Sequence, residues 1–194
     1  MPTASAFAID VPASLLARAR AGERAAFEQL YRRFERPVFN LALRMCGDRD
    51  EASDVLQDTM LKLFDRIGDF RGIDGAPFWG WLRRIAVNEA LMRLRRSERL
   101  GQALPDDECL ADDTTPPPAA AADAATLQRA LAGLPAATRS VLWLYHAEGY
   151  THEEIATLMQ RTPSFSKSQL ARGGRRLRAL LEPECQPSPE PAHA

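Results

Sequence analysis

The sequence predicts an all-α protein made of two small helical domains joined by a flexible linker. Three observations carry that prediction. Apolar residues recur at three- and four-residue spacing through residues 13–100 and again through residues 123–182. Neither stretch contains a run that alternates apolar and polar residues in the manner of a strand. Between them residues 101–122, GQALPDDECLADDTTPPPAAAA, break all periodicity and gather acid and proline. Pro116, Pro117 and Pro118 stiffen that linker locally. Residues 1–12 read as a loose leader and residues 183–194 as a disordered, proline-rich tail.

Taken in order, a helix begins at Ala13 with Leu15, Leu16 and Ala19. Gly22 divides it from a second run carrying Phe27, Leu30, Tyr31 and Phe34. Pro37 is expected to break that run, and Val38, Leu41, Ala42 and Met45 resume it up to Gly47, a residue suited to a helix C-terminus. The next helix, from Asp48 to Gly68, opens on acid, the sign a helix N-terminus favours. Its apolar stripe is Ala52, Val55, Leu56, Thr59, Met60, Leu63 and Ile67; its polar face shows Asp54, Gln57, Asp58 and Lys62. A loop over 68–77 carries Asp69, Phe70, Arg71 and Asp74.

One long helix then spans Phe78 to Arg99, with no glycine after Gly80. Phe78, Trp81, Leu82, Ile85, Glu89 and Met92 share one side, and Val87, Leu91 and Leu94 form a second strip. Between them runs a polar ridge of Arg84, Asn88, Arg95 and Arg99, with Trp81 at its upper end. Guanidinium groups beside an aromatic ring grip phosphates and stack on unpaired bases. The plainer alternative is a buried helix with a solvated arginine face.

Beyond the linker, helices are expected over 123–133, 135–149, 151–159 and 162–181. Thr151 and Glu154 form a capping box, and Thr162 places a capping hydroxyl before Pro163 at the first helical position. A short capped helix, a tight turn and a longer basic helix describe a helix-turn-helix. Ile155, Ala156 and Met159 are expected to face the core from the first helix, and Leu170, Leu177 and Leu181 from the second. Phe165, Ser168, Gln169, Arg172, Arg175 and Arg176 lie opposite and offer amide, hydroxyl and guanidinium donors to base edges and phosphates. An ordinary helical hairpin with a basic exterior is the bland alternative.

Charge is segregated along the chain. The formal net charge is only −1 over 194 residues, yet Arg83–Arg99 and Arg161–Arg178 are basic while Asp106–Asp113 is acidic. Cys46, Cys109 and Cys185 are isolated, so neither a zinc site nor a disulfide framework is expected. Cys46 sits in an apolar run and reads as a core residue. His146, His152 and His193 show no ligand spacing, and no metal or cofactor is expected. No stretch approaches 18 apolar residues and no signal peptide stands at the start, so a cytoplasmic location is expected.

On these residues the chain resembles the extracytoplasmic-function (ECF) sigma factors of bacterial RNA polymerase, over nearly all of residues 20–182. Asp54, Val55, Leu56, Gln57 and Asp58 are similar to the family's polymerase-binding segment in sigma domain two. Phe78 and the run from Trp81 to Asn88 are similar to its promoter-melting and minus-ten segment. Leu134, Pro135 and Arg139, then Glu148 to Ala156, resemble the start of sigma domain four. Lys167, Ser168, Leu170, Arg172, Leu177 and Arg178 match its minus-thirty-five recognition helix. The resemblance implies domain two at 13–100 and domain four at 123–182. It also implies that Phe70, Arg71, Trp81, Arg84, Asn88, Arg95 and Arg99 take the minus-ten strand. Phe165, Lys167, Ser168, Gln169, Arg172, Arg175 and Arg176 are then expected to read the minus-thirty-five element.

The partners implied are core RNA polymerase, promoter DNA and an anti-sigma factor, and no catalytic residue is expected. Four positions depart from the family pattern: Met92 where acid is common, Ser166 at an apolar place, and Gly173 and Gly174 inside the recognition helix. Rival readings are a sigma-like decoy that binds an anti-sigma factor without DNA, a metal enzyme using Glu51, Asp54 and Asp58, and a plain helix-turn-helix repressor. The arginines on both DNA-facing helices weigh against the decoy, the missing histidine ligands against the enzyme, and residues 20–100 against the repressor.

Overall fold

The computed structural model describes residues 9–70, 77–99 and 126–181; the side chains of residues 98 and 99 lie outside that description, as do the expected leader up to residue 8, the linker and the tail. Every regular element among the described residues is a helix.

The first half comprises α1 (Ala13–Arg20), α2 (Arg24–Cys46), α3 (Arg49–Arg66), a 3-10 turn (Ile67–Asp69) and α4 (Phe78–Arg99). Gly22, at φ +80°, makes the turn between α1 and α2. Gly47, at φ +79°, ends α2, and its N–H donates to the Leu43 carbonyl at 2.8 Å. The Asp48 side chain accepts from the Glu51 N–H at 2.7 Å and caps α3.

At Pro37 the structure corrects the sequence reading, because α2 passes through it without a break. Proline removes one intrahelical bond. Phe34 and Val38 on either side are wholly buried, as is Ala42, and this packing against α3 and α4 holds the two halves of α2 in line.

The core of this half is aromatic. Phe34 stacks on Trp79 with ring centres 5.7 Å apart and planes 8° apart, and it meets Phe78 at 5.4 Å. Trp79 belongs to neither expected apolar strip of α4, yet it is buried. Met92, expected on one of them, is 54% exposed. Glu89 is buried and its carboxylate meets Lys62 Nζ of α3 at 2.5 Å, so a charged pair closes that side of the seam.

The second half comprises α5 (residues 126–132), α6 (Ala136–His146), α7 (His152–Met159) and α8 (Pro163–Leu181). Both arms of the Thr151–Glu154 capping box form, at 3.2 Å and 2.8 Å. The Phe165 N–H donates to the Thr162 hydroxyl at 3.2 Å and caps α8. Helix α8 is continuous through Gly173 and Gly174.

A Cβ on Gly173 would stand 2.6 Å from Thr138 Cγ2 and 2.8 Å from Leu142 Cδ1, whereas one on Gly174 would meet nothing within 4 Å. Gly173 therefore lets α8 cross α6 closely. That crossing corrects the expected leucine stripe. The buried positions of α8 are Ser166 and Gly173; Leu170 and Leu177 are half-buried and Leu181 is exposed. Buried Ser166 shares a 2.9 Å hydrogen bond with His152 Nδ1. The two halves meet where α6 lies on α2 and α7 on α4.

Candidate nucleic-acid interface

Helix α3 divides the expected polymerase-binding segment between two environments. Asp54 and Gln57 are exposed and Asp58 is partly so, as their place on the polar face requires. Val55 is wholly buried and Leu56 half-buried against the core, which corrects Val55 as a contact residue. A helix that buries one stripe cannot offer consecutive residues to a partner.

The carboxylates are held by α4. Arg93 donates to Asp54 at 2.7 Å and to Asp58 at 2.9 Å, with Glu51 at 3.8 Å. Arg93 is not among the residues the sequence pattern singles out. Its register with α3 across 35 and 39 residues of chain leaves no local signal. Leu61 and Phe64 are not singled out either; they lie off the apolar stripe at 58% and 60% exposure, and the Phe64 ring rests 4.7 Å from Phe27.

On α4 the ridge is present in part. Arg84 and Asn88 are exposed, and Arg95 is half-buried with its Nε donating to the Leu91 carbonyl at 3.1 Å. Trp81 is half-buried against Phe70 and Phe78, at 5.5 and 5.6 Å. Phe70 is buried within that aromatic group beneath the Arg20 guanidinium, so it supports Trp81 and is corrected as a base contact. The Arg71 and Asp74 positions and the Arg99 side chain lie outside the described residues.

On α8, Lys167, Ser168, Arg172, Arg175 and Arg176 are all exposed. Arg172 donates to the Ser168 hydroxyl at 3.3 Å, and Ser168 in turn to the Phe165 carbonyl at 2.9 Å. Gln169 departs from the expected face: its side-chain oxygen accepts from the Thr138 hydroxyl at 2.6 Å, which ties it to α6. Phe165 departs too. It is half-buried beside a small cavity whose lining includes Leu91, Leu94 and Met159, with Arg161 over its ring at 5.7 Å. Gln169 and Phe165 stand four and eight residues before Gly173, so helical spacing sets them near its inward-facing side. Of the expected ridge on α4, Arg84 and Asn88 stay exposed, and on α8 Lys167, Ser168, Arg172, Arg175 and Arg176 do.

The Sigma-70 region 2 family matches residues 30–100, and the Sigma-70, region 4 family matches residues 124–177. The ECF RNA polymerase sigma factor SigM of Mycobacterium tuberculosis is 37% identical over 170 residues, covering 87% of this chain and 84% of that protein. The chain belongs to the ECF family of RNA polymerase sigma factors. The RNA polymerase sigma-H factor of Pseudomonas aeruginosa is 31% identical over 184 residues, covering 87% of this chain and 93% of that one. The fold is shared with the sigma factor RpoE of Bartonella quintana, solved in complex with the anti-sigma factor NepR. That likeness has a TM-score of 0.56 at 24% identity, over 80% of this chain and 96% of that one. Sigma factors of this family are DNA-binding regulators of transcription, so α2 to α4 carry sigma region 2 and α5 to α8 carry sigma region 4. No described helix is long and apolar enough to cross a membrane.

Proposed function

We propose that this sigma factor docks core polymerase through α3, opens the minus-ten element with α4 and reads the minus-thirty-five element with α8. The observation that carries the reading is that, in a chain of this family, both helices keep exposed hydrogen-bond donors: Arg84 and Asn88 on α4, and the cations Lys167, Arg172, Arg175 and Arg176 with Ser168 on α8. Cations on α8 fix the helix against phosphates, and the Ser168 and Arg172 donors address base edges in the major groove. On α4, half-exposed Trp81 supplies a stacking surface for an unpaired base next to Arg84.

Docking uses Asp54, Gln57 and Asp58 together with the exposed apolar side chains of Leu61 and Phe64. Binding weakly at each promoter element suffices, because the linker makes the second contact intramolecular. The chain supplies no catalytic group; polymerisation chemistry belongs to the core enzyme. Its regulator is an anti-sigma factor that covers these surfaces, as the complex of RpoE with NepR supports.

The direct test is a titration of core polymerase with the Asp54→Ala/Gln57→Ala/Asp58→Ala chain. Weakened binding with unchanged helicity is expected, and unchanged affinity would refute the docking assignment.

A further inference from the structure

We propose that Arg93 of α4 is a positioning residue for the docking of core polymerase: it holds the Asp54 and Asp58 carboxylates of α3 in place for the partner. The inference rests on the reading of α3 as the docking helix.

The charge pattern of α3 calls for such a residue. Glu51, Asp54 and Asp58 lie three and four residues apart along one side of the helix. Like charges at that spacing repel. Lys62 is spaced to answer Asp58 but is engaged across the seam, where its Nζ meets Glu89 of α4 at 2.5 Å. Without a cation between them the two aspartates would turn apart, and a partner would have to order both on binding.

Arg93 supplies that cation from the neighbouring helix. Its Nη1 donates to Asp54 Oδ2 at 2.7 Å and its Nη2 to Asp58 Oδ2 at 2.9 Å, with Glu51 3.8 Å from Nη1. The planar fork fixes the two carboxylates relative to each other, which a single ammonium does not. Nε shows what sets the orientation of the group. It is buried with no hydrogen-bond partner, so the guanidinium is turned to serve the two aspartates at the expense of Nε. The Lys62–Glu89 pair braces the same two helices one turn further along, with Glu89 only 9% exposed.

The geometry favours holding the acids over hiding them. The Arg93 side chain is 27% exposed, against 55% for Asp54 and 42% for Asp58, so the guanidinium lies behind the carboxylates. Each aspartate meets it through one oxygen, Oδ2, which leaves Oδ1 to accept from a donor on the partner.

The test measures association and dissociation rates of the full chain on immobilised core polymerase. Arg93→Met keeps an apolar stem and removes the charge. It should speed dissociation about fivefold, because the complex then has to hold two side chains that the free chain no longer orders. It should not slow association, because the docking face becomes more acidic rather than less. Arg93→Lys, a point charge able to hold one carboxylate, should speed dissociation about twofold. The Asp54→Ala/Asp58→Ala chain should dissociate faster by itself, and adding Arg93→Met or Arg93→Lys to it should change nothing further. Circular dichroism checks helicity; if Arg93→Met loses it, the Arg93→Lys pair of chains carries the comparison.

Dissociation from the folded Arg93 variants that is unchanged or slower overturns the inference; slower dissociation would make Arg93 a mask over the acids. An equal increase with and without the two aspartates overturns it as well, because Arg93 would then only brace α3 against α4. If the Asp54→Ala/Asp58→Ala chain dissociates like the unaltered one, the docking reading itself fails and the inference falls with it.

Discussion

Gly173 and Gly174 occupy adjacent places in α8 and make opposite predictions. Gly174 faces open space with an ordinary helical backbone, so Gly174→Ala should stabilise the protein by about 1 kcal/mol, the helix-propensity difference. Gly173→Leu should destabilise it by about 1–3 kcal/mol, because the side chain has to displace Thr138 and Leu142. Thermal melts check both; a fall in melting temperature for Gly174→Ala would contradict a continuous α8. Rotation about the helix makes this asymmetry legible in the sequence. The tether on Gln169 is not legible there, because its partner Thr138 is 31 residues away.

At the same scale, Cys46 is buried at the end of α2, and burial pushes its thiol up to about 12. With Cys109 and Cys185 replaced by serine, Cys46 should resist a thiol reagent at neutral pH until denaturant exposes it. Immediate modification of the native chain would contradict that burial.

The helix ends expected from capping chemistry are present, Thr151 on α7, Thr162 on α8 and Gly47 after α2, and Asp48, expected only as acid at the start of α3, caps it. Caps are local, and a few residues specify them. The continuity of α2 through Pro37 is different in kind, because tertiary packing of Phe34 and Val38 decides it. The two helices proposed to face DNA carry their own predictions. Arg84→Ala on α4 should lower the slope of log affinity against log salt by about 0.7–0.9 for each phosphate its guanidinium neutralises. Asn88→Ala should change which promoters are preferred more than the overall affinity; equal weakening on all promoters would contradict direct readout. On α8, Arg172→Ala should relax base preference within the minus-thirty-five element, whereas Phe165→Ala should leave that preference intact. Binding of the chain on core polymerase to a library of opened promoters at several salt concentrations reads all four.

The whole molecule is legible as two helical domains because each has its own hydrophobic period and its own caps. How they meet is not. Arg139 matches the start of region 4 by sequence, but its acceptors, Met45 and Cys46, lie 94 and 93 residues away. Nothing in a local pattern pairs Arg83 with Glu148 across 65 residues. The docking segment of five consecutive residues comes from the family resemblance; the helical period already sets Val55 and Leu56 on the apolar stripe, and the fold buries Val55 while leaving Leu61 and Phe64 exposed on the helix whose carboxylates Arg93 holds.

If this chain gives core polymerase its promoter choice, transcription in vitro with purified core enzyme and a genomic promoter library, with start sites mapped, will show it. The expected result is a discrete set of start sites that depends on this chain and shares a minus-ten and a minus-thirty-five element. That set should vanish with the Asp54→Ala/Gln57→Ala/Asp58→Ala chain. Core binding without promoter-specific start sites would contradict the assignment.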